Sequence, residues 1–123
     1  MNIPHQYDVL WINAEPHADT EVGGHDPKAG NTFRPFVVCS VYPYNQTGSV
    51  VGLVVTHHRS SSQPDLDDAL IPIDTVSHKV SGYIIPFGMY GYDYRARNGR
   101  VVDHLSKDTI NIIRPVIKDI FGV

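Results

Sequence analysis

Apolar and polar side chains alternate from Tyr7 to Ala14 (YDVLWINA), the period of a half-buried strand, and Glu15-Pro16 ends it. From there to Thr32 no period is visible among Gly, Asp, His, Pro, Lys and Asn, which predicts a long loop of the kind that carries function. Arg34-Pro35 opens the continuous apolar run Phe36–Val41 (FVVCSV), a strand expected to be buried on both faces, with Pro35 holding Arg34 extended at its mouth. Tyr44–Gly48 (YNQTG) predicts a turn, and the β-branched stretch Ser49–Thr56 (SVVGLVVT) a central strand. His57–Asp68 is polar and turn-forming, Ala69–Asp74 a short edge strand because it contains Pro72, and Val80–Ile85 a further strand. In PFGMYGY, residues 86–92, two glycines among aromatics predict a bend or a close approach to a partner. Asn98-Gly99 predicts a tight hairpin joining DYRAR to RVVDHL.

The period then changes to that of a helix. Ser106 is its expected N-cap, Asp108 favours its first turn, and Ile110, Ile113, Ile117, Ile120 and Phe121 share one face. Gly122 fits a stop, and Pro115 is expected to kink or split the helix after Arg114. The pattern predicts one domain over residues 1–123, mainly β (α+β): a small, strongly bent antiparallel barrel with a C-terminal helix.

Composition narrows the function. A chain of 123 residues supports one modest core, and 41% apolar with 19% charged residues is a folded composition. The lone Cys39 has no intramolecular partner and lies in an apolar run, so a buried, inert thiol and a reducing compartment are expected. The first residues, MNIPHQYDVLW, have no secretory pattern, and no apolar run approaches the roughly 20 residues of a membrane span. A cytoplasmic protein with no membrane contact is expected.

A net charge of −3 argues against a protein that coats duplex DNA through bulk charge but permits a local basic patch. Tyr92–Arg100 (YDYRARNGR) is such a patch. Arg95, Arg97 and Arg100 suit the phosphates of a single strand, and Tyr92 a stacked base. If the segment is extended, Arg95 and Arg97 share one face and Tyr92 and Tyr94 the other, with the tyrosines on the core as the alternative. Trp11, in a first strand, is expected in the core or at a dimer interface rather than under a base. His25, His57 and His58 match no common metal-ligand spacing, so neither metal nor cofactor is expected.

DVLWINAEP at Asp8–Pro16, TEVGGH at Thr20–His25, Arg34-Pro35 before an apolar strand, YNQTG, VVT at Val54–Thr56 and RARNG before a helix occur in one order along most of the chain. Together they resemble the MazF/PemK/Kid family of toxin ribonucleases. The resemblance implies an SH3-like barrel related to CcdB, a homodimer, a cognate antitoxin, and metal-independent cleavage of single-stranded RNA at short sequences. It places the catalytic arginine at Arg34 and the catalytic threonine at Thr56, with acidic and histidine side chains of the first loop at Glu21 and His25. His57 is a further candidate for proton transfer because imidazole titrates near neutrality. Arg59, Arg95, Arg97, Arg100 and Tyr92 are the candidate RNA contacts.

Two departures bear on this reading. The segment DPKAGNTF between His25 and Arg34 is longer than in the family, and Phe87-Gly88 stands where many members carry Asp-Gln. The alternative they support is a non-enzymatic relative, either a CcdB-like gyrase poison or a toxin that binds but does not cut.

Overall fold

The alternation in Tyr7–Ala14 produces strand β1 (Asp8–Asn13), which buries Val9, Leu10 and Ile12. The protein, seen as a computed structural model, is described for residues 2–13, 33–57 and 69–123. After β1 come β2 (Phe33–Val38), α1 (Tyr42–Asn45), β3 (Ser49–Thr56), β4 (Ile71–Pro72), β5 (Tyr83–Asp93), β6 (Arg100–His104) and α2 (Lys107–Phe121). The strands form one antiparallel sheet in the order β4-β5-β3-β2-β1-β6.

The sheet curls until its edges meet. Thr75, just after β4, bridges Leu105, just after β6. Beside that bridge the Val76 amide donates to the His104 carbonyl at 2.8 Å and the Ser106 amide to the Asp74 carbonyl at 2.9 Å. The result is a curled half-barrel with a C-terminal helix, in line with the bent antiparallel barrel expected.

Asp103 locks this seam. Its carboxylate, 7% exposed, accepts the amides of Ser77, Lys79 and His104, each at 2.9 Å. Burial pushes its pKa up, but the amides of Lys79 and Ser77, the Thr75 hydroxyl and the His104 amide outweigh it and hold the pKa at about 2, below the ordinary 3.8. A carboxylate whose folded pKa is depressed contributes stability above its unfolded pKa and loses it as pH falls through the folded one. Asp103→Asn is therefore expected to cost about 2 kcal/mol at neutral pH. The cost should vanish between about pH 4 and pH 2, as followed by urea melts across that range.

Side-chain alternation divides the interior in two. Val9, Val37, Leu53, Val55 and Ile84 face α2 and pack with Leu105 and Ile113; Leu10, Ile12, Phe36, Val38, Val54, Tyr92 and Tyr94 fill the other face. Cys39 belongs to the first cluster, where burial pushes its thiol up to about 12 despite a backbone hydrogen bond involving Leu53. A disulfide reagent at pH 8 is expected to label Cys39 only after denaturant has opened the fold.

Several local expectations are corrected. β2 starts at Phe33, so Arg34 lies inside the strand opposite Ile12 rather than at its mouth. Pro35 is tolerated there because β3 joins β2 only from Phe36 onward, leaving one neighbouring strand at the proline. The turn before β3 contains the short helix α1, whose Asn45 is buried and donates to the carbonyls of Pro4 and Ser40 at 2.9 and 3.1 Å. The bend in PFGMYGY is a bulge within the continuous β5: the β3 pairing slips between Leu53 and Val55, and Phe87 adopts a φ of 61°.

The hairpin at Asn98-Gly99 does not form, since β5 pairs with β3 and β4 while β6 pairs with β1. Residues 94–98 arch from one strand to the other instead, because the Asp93 carboxylate accepts the Ala96 amide at 3.0 Å and turns the chain early. α2 is not split at Pro115. Pro115 and Asn111, whose carbonyl the proline leaves without its usual donor, are both exposed to water. Ser106 caps α2 and Gly122 ends it in the left-handed region, as expected, but Phe121 is 61% exposed and lies off the buried face.

Candidate functional site

β2 and β3 bring Arg34 and Thr56 together. Phe36 pairs with Val54 at the last rung of the β2–β3 ladder, and Arg34 and Thr56 each lie two residues beyond it on the two strand ends. By alternation both side chains lie on the Phe36–Val54 face, and Tyr83 of β5, paired with Thr56, continues that row. Arg34 and Thr56 are half-buried at the rim of the curl, and Arg34 Nη1 donates to the Phe33 carbonyl at 2.9 Å, which holds the guanidinium near its own strand. A held cation and a hydroxyl on one face at the open end of a sheet are groups that can grip a phosphate.

The basic arch lies on the same side of the sheet. Its tyrosines are in the core: Tyr92 is 3% exposed with its ring edge-on to Phe36, and Tyr94 is fully buried with its hydroxyl donating to the Asn45 carbonyl at 2.8 Å. The Arg97 guanidinium covers the Tyr92 ring at 4.8 Å and donates to the Asn13 carbonyl, and Arg95 lies 5.5 Å from the centre of the Tyr94 ring. The surface offered to a ligand is therefore arginine laid on tyrosine, and Tyr92 itself is covered.

His57 and Arg100 are elsewhere. They line an open cleft of about 370 Å³ with Trp11, Pro35, Lys79, Val80, Ser81 and Val102. Trp11, Pro35 and Arg100 are neighbours across β1, β2 and β6, on the face opposite Arg34. The cleft is the stretch of the seam left open between β6 and residues 79–81. Thr56 and His57, adjacent in sequence, thus serve opposite sides of the sheet end.

Glu21, His25 and Arg59 lie outside the described residues. Among the described residues no three His, Cys, Asp or Glu side chains converge as metal ligands, and no helix is long and apolar enough to cross a membrane. The contributions of Lys79 and Ser81 to the cleft were not readable from the sequence, because a polar residue at a strand approach carries no signal of what the far edge of the sheet brings to it. Trp11, expected in the core or at an interface, is half-buried and forms a cleft wall stacked on Phe33.

A curled antiparallel sheet with a terminal helix is a fold seen in solved MazF structures. MazF from Deinococcus radiodurans is 23% identical with a TM-score of 0.77 over 100% of both chains. A MazE-MazF complex from the same organism gives 19%, with a TM-score of 0.71 over 100% of this chain and 99% of that one. An endoribonuclease in complex with its cognate antitoxin from Mycobacterial species gives 15% and 0.68 over 100% and 97%. No curated protein sequence matches the chain. The profile of the PemK-like, MazF-like toxins of type II toxin-antitoxin systems matches residues 5–121, and the chain belongs to that family.

Proposed function

We propose that this chain is a sequence-specific, metal-independent endoribonuclease that cleaves single-stranded RNA, mRNA above all, to inhibit growth. It acts as a homodimer and is held in check by a cognate antitoxin. The observation that carries the reading is the placing of Arg34 and Thr56 on adjacent strands, on one face and at one end of a MazF-type sheet. Support for the partner comes from the family and from relatives solved as toxin–antitoxin complexes.

In this reaction the 2′-hydroxyl of the RNA attacks the adjacent phosphorus and the 5′-oxygen departs, leaving a cyclic phosphate. Arg34 neutralises the charge that grows on the non-bridging oxygens, and the Thr56 hydroxyl donates to one of them. Proton transfer at that phosphate falls to His25 and Glu21, the first-loop positions that the family resemblance supplies, because His57 faces the other side of the sheet end. Arg97, bonded to Asn13 next to the Arg34 row, holds the strand on that face, and Arg95 extends the basic surface toward Gly48 at the other end of β3.

Purified protein incubated with a long single-stranded RNA in EDTA, with the ends mapped by primer extension, tests this directly. Cuts at a recurring short sequence, leaving cyclic or 3′-phosphate ends, are the expected result. Intact RNA from folded protein would sink the proposal and favour the non-enzymatic binder. The observation behind that second reading is Phe87, 65% exposed on the β5 bulge where many relatives carry a polar pair.

A further inference from the structure

We propose that the cleft beneath Trp11 is a subsite for a nucleotide flanking the scissile phosphate: Trp11 stacks its base, and Lys79 and Arg100 neutralise the phosphates on either side. This rests on the ribonuclease reading and extends the bound RNA from one face of the sheet end to the other. The two faces are a single residue apart on each strand, Arg34 beside Pro35 and Thr56 beside His57. A strand lying on Arg34 and Thr56 need only pass over the rim to enter the cleft.

The chemistry of the cleft suits a nucleotide. Trp11 and Phe33 are already stacked, with ring centres 6.3 Å apart and planes within 15°, so a base laid on the indole continues a parallel stack. Val80, Val102 and Pro35 supply the apolar walls. The cations arrive from two elements that the seam holds in place: Arg100 from β6, and Lys79 from a segment whose backbone amide is bonded to Asp103. No carboxylate is among the described lining residues, so the charge facing a phosphate is positive. An acidic peptide meets the same charge, but the flat aromatic wall favours a base.

Trp11 is the only tryptophan, so its emission reports on this cleft alone. In Arg34→Ala protein, which leaves the RNA uncut, a short single-stranded RNA of mixed sequence is expected to quench it. Lys79→Ala with Arg100→Ala, both exposed positions, should weaken binding about tenfold and lower the slope of log affinity against log salt by roughly 1.4, the loss of two single-strand phosphate contacts. Trp11→Ala should weaken binding at least about fivefold, while Trp11→Phe keeps most of it. In protein with Arg34 intact, the double variant should raise KM more than it lowers kcat.

Unchanged Trp11 emission when labelled RNA is shown by anisotropy to be bound would overturn the proposal. So would an unaltered affinity and salt slope in the double variant, or quenching by an acidic peptide but not by RNA. Cleavage with a silent Trp11 removes the subsite and leaves the ribonuclease standing. RNA binding with these signatures but no cleavage keeps the nucleotide site and removes the ribonuclease.

Discussion

Arg34→Ala is expected to lower the rate of RNA cleavage by roughly a thousandfold, the scale of losing a fixed charge from a transition state that accumulates charge. The side chain is half-buried on a strand whose apolar packing comes from Phe36, Val37 and Val38, so truncation should leave the melting curve nearly unchanged. Arg34→Lys should recover little, because an ammonium group cannot hold two phosphate oxygens in one plane. Single-turnover rates measured beside a thermal melt separate chemistry from folding. Equal rates for wild type and Arg34→Ala would remove Arg34 from the reaction and, with it, the phosphate-gripping role of this end of the sheet.

Gly52→Ala is expected to be the most damaging single methyl in the described residues. β3 runs between β2 and β5, and Gly52 is paired with Val38 on one side and Tyr90 on the other. A Cβ there would lie 1.9 Å from the Val37 carbonyl oxygen and 2.8 Å from a ring carbon of Phe36. The ring has little room because it is packed edge-on against Tyr92, and the carbonyl cannot retreat without moving β2. A loss of about 3 kcal/mol or more follows, lowering Tm by about 10 °C or more. Gly91→Ala is the control: its Cβ would meet nothing closer than 3.7 Å, so it should be close to neutral. If the two variants melt alike, the steric account of Gly52 is wrong.

Much of this fold was legible in the chain because its strands and helix obey simple periods. SVVGLVVT is a central strand, and Ser106 and Gly122 delimit the last helix, each through a local mechanism that needs no tertiary information. The arch at residues 94–98 departs from the sequence pattern for an identifiable reason. Asn98-Gly99 suggests a hairpin, but Asp93 begins the turn five residues earlier, and β6 finds its partner in β1. The rim pair Arg34–Thr56 was reached through family resemblance, because alternation alone does not say which residues face each other across strands. The Trp11 cleft was not legible at all: it is assembled from β1, β2, β6, the residue after β3 and residues 79–81, and only the curling of the sheet brings these together.

The placing of β1 between β2 and β6 has a consequence for the protein's birth on the ribosome. Asp8 and His104 hydrogen-bond at 2.9 Å across 96 positions of sequence, and the seam itself waits for Leu105. β1 can pair with β2 early, yet Leu10 and Ile12 lack a full enclosure until Tyr94 and β6 have emerged. Folding governed by such distant contacts is slow, and it cannot finish cotranslationally before nearly the whole described chain has been synthesised. The curled sheet that carries the Arg34–Thr56 rim is thus closed only when β6 and Leu105, near the end of the chain, are available.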